Sequence, residues 1–173
     1  MIYLIDSGSL FFWIRIVPWQ SASIFYRTEN VSIHNNRVGS SATQANLAAN
    51  AIQLGFGATG SVKTNVVDGN QGLGASNFAA SAILIFLADN VDVSLNQIGG
   101  NSDVGIFVVA AKTGTYNNNR VFDNGPDGPH GDFGVVDFGT GNVFTNNKVK
   151  GFDTPNFGAS GVTNKAIPGP DKF

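Results

Sequence analysis

Five asparagines, each followed two residues later by a β-branched residue, set the terms on which this chain can fold. They are Asn36/Val38, Asn65/Val67, Asn96/Ile98, Asn119/Val121 and Asn147/Val149, at successive spacings of 29, 31, 23 and 28 residues. Three positions before each asparagine stands Ile33, Val62, Val93, Tyr116 or Phe144, and the next residue is polar: His34, Lys63, Ser94, Asn117 or Thr145. This is the period-2 alternation of a short strand, apolar inward and polar outward. A unit of roughly 20–35 residues repeated in this way predicts a solenoid, because each unit can bury its apolar face only against its neighbours.

The most regular unit runs from Ile83 to Asn101, ILIFLADNVDVSLNQIGGN. It predicts Val93 and Ile98 buried, Asp92 and Ser94 facing out, a corner at Asp89 and Asn90, and Asn96 stacked between Asn65 and Asn119. Each unit also carries an earlier apolar strand: Ile24 to Tyr26, Ile52 to Leu54, Ile83 to Leu87, Ile106 to Val109 and Val135 to Phe138. Length variation falls in the exits that follow the asparagines, which places the insertions on one corner of the solenoid. An asparagine column suits such corners: Asn tolerates the left-handed backbone, and its amide can bond to the backbone or to the next amide, one strand spacing of about 4.8 Å away. The predicted fold is all-β, with about five recognisable coils over residues 21–160 and a Gly/Pro-rich tail at 161–173.

Composition narrows the function classes. No cysteine is present, which removes disulfides, thiolate metal sites and cysteine nucleophiles. Only 13% of residues are charged and the net charge is -2, so no basic footprint for nucleic acid exists. Twenty-two Gly, with many Asn, Val, Ile and Phe, favour strands joined by tight corners. Residues 1–20 are apolar and admit two readings, a signal-like segment or two atypical strands capping the solenoid. Asp6 and Arg15 break the apolar run and favour the cap, and no membrane span is expected.

The runs Val31-Ser-Ile33-His-Asn35-Asn36-Arg-Val38 and Val91-Asp-Val93-Ser-Leu95-Asn96-Gln-Ile98 resemble the repeats of right-handed parallel β-helix proteins. That superfamily includes pectate lyases, polygalacturonases, mannuronan epimerases and NosD-like proteins. The resemblance covers residues 24–152 and implies a right-handed parallel β-helix. It leaves function open among lyases, hydrolases, epimerases and non-catalytic modules.

Two constellations stand out as candidate sites. The insertion Asp123-Asn-Gly-Pro-Asp127-Gly-Pro-His130-Gly-Asp132 gathers three carboxylates and a histidine on a loop. Asp127, His130 and Asp132, with Arg120 as the basic partner, are the catalytic candidates. Pro-His-Gly-Asp resembles the Asp-Pro-His-Asp motif of mannuronan epimerases, with Gly128 before the proline and Gly131 inserted. Oxygen ligands in this loop also admit Ca2+, although no regular Asp-rich calcium loop is present. The second constellation follows the ladder by one residue: Arg37, Val66, Gln97, Arg120 and Lys148. Its cations, Arg37, Arg120 and Lys148, are candidates for binding the carboxylates of an acidic polysaccharide.

Other residues read as structural. His34 is expected on the surface, Asp137 outward and solvated, and Phe107, Tyr116, Phe138 and Phe144 in the core. Thr and Ser form no flat Thr-x-Thr stripe, which argues against ice binding. Three functions follow, in order of preference. The first is an extracellular module that binds or processes an acidic polysaccharide. The second is a polysaccharide lyase or uronate epimerase, and the third a structural piece of a larger surface protein that self-associates end to end or side by side.

Overall fold

The structure is a computed structural model that describes residues 24–25, 29–39, 49–74, 79–125 and 128–164. The strands expected within residues 1–20, Tyr26 and the far part of the tail lie outside the described residues. So does Asp127.

In chain order the strands come in sets of three. The first set is β1 (Ile24–Phe25), β2 (Val31–His34) and β3 (Arg37–Val38); the second is β4 (Asn50–Gly55), β5 (Gly60–Lys63) and β6 (Val66–Asp68). Then follow β7 (Ser81–Phe86), β8 (Val91–Ser94) and β9 (Gln97–Gly99), and β10 (Val104–Lys112), β11 (Thr115–Asn117) and β12 (Arg120–Phe122). After β13 (Phe133–Thr140), β14 (Val143–Thr145) and β15 (Asn147–Lys150), the described chain closes with β16 (Thr154–Phe157) and β17 (Val162–Asn164). Every strand pairs in parallel with its equivalent one set away. Three sheets result, in the orders β1-β4-β7-β10-β13-β16, β14-β11-β8-β5-β2 and β17-β15-β12-β9-β6-β3, here called sheets A, B and C. The protein is thus all-β, an arrangement consistent with a parallel β-helix solenoid. No described residue is helical, and among the described residues no helix is long and apolar enough to cross a membrane.

The core lies between the sheets and is built in columns. Sheet B contributes Ile33, Val62, Val93, Tyr116 and Phe144, sheet C Val38, Val67, Ile98, Val121 and Val149, and sheet A Ile52, Ile83, Ile106 and Val135, all buried. In sheet B the column changes from aliphatic to aromatic, and the Tyr116 and Phe144 rings stack at 4.4 Å. Sheets A and C converge so closely that a Cβ on Gly105 would stand 2.3 Å from Val121 Cγ1, and one on Gly134 2.2 Å from Val149 Cγ1. Glycine at these two positions lets sheet A approach the valine column.

The asparagines form a continuous ladder. The Oδ1 of Asn65 accepts from both the backbone N and the Nδ2 of Asn36, at 3.0 and 3.1 Å. Asn96 does the same for Asn65, Asn119 for Asn96, and Asn147 for Asn119. Each Nδ2 from Asn65 onward also reaches a carbonyl one set back: Ile33, Val62, Val93 or Tyr116. The residue before every ladder asparagine is left-handed: Asn35, Thr64, Leu95, Asn118 and Asn146, with φ between 53° and 58°. That turn points the next side chain inward, where the amide satisfies buried backbone groups that would otherwise stand unpaired.

Several expectations need correction. Ser94 stands in the outward column of sheet B between Lys63 and Asn117, yet it is only 5% exposed. Phe107 and Phe138 are not core residues. The flanking Ile106 and Val108 take the inward positions of β10, so Phe107 projects outward, and Phe138 pairs in register with Val109 on the same outer face. Asp137 is not merely solvated: its Oδ1 accepts from Gly139 N at 2.8 Å and from Asn142 Nδ2 at 2.9 Å.

Candidate functional site

The β-branched residue after each ladder asparagine turns inward, so the residue between them must project outward from sheet C. Strand register makes those residues one column: Arg37 pairs with Val66, Val66 with Gln97, Gln97 with Arg120 and Arg120 with Lys148. Arg37 and Arg120 are exposed and Lys148 is half-buried. Among the described residues, none of these three head groups is paired with a carboxylate. At about 4.8 Å per strand, Arg120 and Lys148 are nearest neighbours, and Arg37 lies about 14 Å below Arg120.

The insertion corner has a different character, because its carboxylates are turned toward backbone. Asp103 is fully buried, and its Oδ2 accepts from Gly72 N at 2.9 Å and Ala80 N at 2.8 Å, clasping the preceding insertion. Its Oδ1 is buried without a hydrogen-bond partner among the described residues. Burial pushes this carboxyl above its ordinary value, against the backbone donors and the nearby His130, which favour the charged form. His130 Nε2 lies 2.6 Å from the Gly74 carbonyl; a carbonyl can only accept, so this nitrogen carries a proton and donates. Asp132 is 7% exposed, and its Oδ2 accepts from Asp153 N at 2.5 Å. Asp123 accepts from Ser102 N and Gly125 N.

Of the four catalytic candidates, His130 and Asp132 thus lie on the insertion corner, engaged in fastening one loop to the next. Arg120 lies on the outer face of sheet C, and Asp127 is outside the described residues. Among the described residues no three His, Asp or Glu side chains form a group that could hold a metal ion. Asp103 Oδ2 and Asp132 Oδ2 are taken up by backbone N–H groups. Asp103 was not singled out from sequence as a clasp. A signal was present, however: Asp103, Asp132 and Asp153 each immediately precede a sheet A strand.

Sheet B presents a third polar surface. His34 Nε2 and Ser61 Oγ are 2.7 Å apart, beside a Lys63–Asp92 ion pair at 2.5 Å. Burial, helped by the Lys63 ammonium and opposed by Asp92, holds His34 below its ordinary value, so the imidazole is neutral near pH 7. Among the described residues nothing bonds to Nδ1, so the pair lacks the third group that orients a catalytic imidazole.

Three parallel sheets, an asparagine ladder and an outward basic column are together consistent with a parallel β-helix solenoid. Compared with protein-family models, with curated proteins and with solved structures, the chain finds no match.

Proposed function

We propose that the chain is a right-handed parallel β-helix of about five coils, similar to the pectate lyase-like and NosD-like repeat proteins. We further propose that it acts outside the cell or at its surface as a binding module for an acidic polysaccharide. The observation that carries this reading is the column Arg37–Val66–Gln97–Arg120–Lys148, which aligns three cations along the solenoid axis, none with a carboxylate partner among the described residues. A linear polyanion laid across the strands of sheet C meets these charges in succession. Each exposed contact contributes only about 0.2–1 kcal/mol. A polymer engaging several at once gains avidity from their linkage. Uncharged Val66 and Gln97 between them leave the column without a repelling anion.

Processing of the same polymer, by a lyase or an epimerase, would call on Arg120 with Asp127, His130 and Asp132. We rank it second because His130 Nε2 and Asp132 Oδ2 are already bonded to Gly74 O and Asp153 N.

Isothermal titration with polygalacturonate and alginate, against a neutral glucan, tests the binding reading. Uronate polymers should bind, more weakly as salt rises, and the glucan should not. Arg120→Ala with Lys148→Ala should weaken binding about tenfold, equivalent to about 1.4 kcal/mol. Equal affinity for the glucan, or an unchanged double variant, would remove sheet C as the binding face. Release of unsaturated uronate, abolished by His130→Ala, would instead move the enzymatic reading ahead.

A further inference from the structure

We propose that the outer face of sheet A is an interface through which two copies of this chain pair face to face. Strand register sets two outward columns on this sheet. Leu84 pairs with Phe107, Phe107 with Val136 and Val136 with Phe157, while Phe86 pairs with Val109 and Val109 with Phe138. None of these residues is charged. Phe138 and Phe157 are 55% and 50% exposed, Leu84, Phe86, Phe107 and Val109 are half-buried, and Val136 between them is buried at 4%.

The rings are organised among themselves. Phe107 and Phe138 lie 6.0 Å apart at 69°, and Phe138 and Phe157 5.6 Å apart at 72°. These are edge-to-face contacts, so the rings do not form the run of coplanar faces that would suit sugar rings. They make a ridged apolar surface of the kind that interdigitates with another, as facing sheets do at a separation of about 10 Å.

A second copy fits this surface better than an unrelated partner. A two-fold interface brings a patch against itself, so the patch must be self-complementary, and an uncharged aromatic patch meets that condition. Four strands at about 4.8 Å, with about five residues each at roughly 3.3 Å, give a face of roughly 320 Å². Two such faces bury about 640 Å² as a flat estimate, and more with side-chain relief, below the roughly 1,000 Å² of a stable specific interface and in the range of transient contacts. A reversible dimer is expected, weaker than an obligate one. It uses sheet A alone and leaves the sheet C column open, so it stands or fails independently of polysaccharide binding.

Sedimentation velocity on the full chain across two decades of concentration tests the proposal. The expected result is a monomer–dimer equilibrium that Phe138→Glu with Phe157→Glu abolishes, with far-UV circular dichroism unchanged. Leu95→Glu, at an exposed position off sheet A, should leave the dimer intact. If the double glutamate variant does not fold, Phe138→Ser alone should weaken association about tenfold. A monomer at every concentration overturns the proposal, including one whose aromatic face is covered by its own residues 1–23. Association that persists unchanged in the folded variants also overturns it, and assigns pairing to the open ends of the solenoid.

Discussion

Asn96 donates from one nitrogen to two acceptors, Asn119 Oδ1 at 3.0 Å and the Val62 carbonyl at 2.8 Å. Its own Oδ1 accepts twice from Asn65, so this side chain satisfies groups on both sides of its set. Asn96→Ala strands several buried polar groups at once, each at about 1–3 kcal/mol. With partial relaxation, a loss of about 3–5 kcal/mol is expected. Asn36 ends the described ladder, and no donor reaches its Oδ1 among the described residues, so Asn36→Ala should cost about 1–2 kcal/mol. Urea unfolding of the two variants makes the comparison. Equal losses would show that the ladder does not act as a connected chain.

Leu95 occupies a backbone conformation that suits it poorly. Its φ is 58°, and the equivalent corners hold Asn35, Asn118 and Asn146 in the same left-handed region. The side chain is 57% exposed, so little packing is lost on replacement. Leu95→Asn should stabilise the protein by about 1 kcal/mol, the scale of the left-handed penalty for an ordinary residue. Calorimetry should show Tm rising by about 2–4 °C. Thr64→Asn should gain less, because Thr64 Oγ1 already donates to Asn35 Oδ1 at 2.7 Å. A fall in Tm for Leu95→Asn would mean that Leu95 makes a contribution its exposure hides.

What could be read from sequence depended on how local the determining contacts were. The ladder was legible because Asn, an inward β-branched residue and an apolar residue three positions earlier recur as a short motif. Burial of Val93 and Ile98 and stacking of Asn96 between Asn65 and Asn119 followed from it directly. The alignment of Arg37 with Arg120 and Lys148 followed from the same offset. Sheet A was harder. ILIFL and GIFVVAA are apolar on both faces, so alternation cannot tell inward Ile106 from outward Phe107. The buried state of Asp103 was not legible either, because Gly72, Ala80 and Gly128, which enclose it, come from two insertions distant in sequence.

Asp103 should leave a mark on the pH dependence of stability. Its folded-state value is raised above the ordinary 3.8 by burial, so over the interval above 3.8 the unfolded chain has lost a proton that the folded chain retains. The folded state then binds more protons, and this residue's contribution to stability falls as pH rises through that interval. Asp103→Asn keeps an oxygen for Gly72 N and Ala80 N but cannot titrate. The stability of the native protein relative to this variant should therefore decline as pH rises from 3.8. His34 has the opposite slope below its ordinary 6.5, and it cancels because both proteins carry it. Denaturant titrations in pH steps supply the difference; a flat or rising one would show that Asp103 is charged in the fold throughout.

Tyr116 is fully buried, stacked on Phe144 with the planes 11° apart, and its hydroxyl has no hydrogen-bond partner among the described residues. Burial, with the Asp137 charge adding to it, pushes the phenol far above its ordinary value of 10.0, so the hydroxyl stays neutral at any ordinary pH. A neutral unpaired hydroxyl inside an apolar column still carries its desolvation cost. Tyr116→Phe removes that cost and keeps the ring and its stack. The only loss is the small volume of one oxygen, against which a Cβ on Gly114 would stand at 2.9 Å, so the space is tight and closes readily. Tyr116→Phe should be neutral or stabilising by up to about 1 kcal/mol, whereas Tyr116→Ala, which empties the column, should cost about 3–5 kcal/mol. Thermal and urea unfolding of both variants distinguish packing from polarity. A loss above about 1 kcal/mol in Tyr116→Phe would show that the hydroxyl is paired in solution, through a water or a shift of the neighbouring corner.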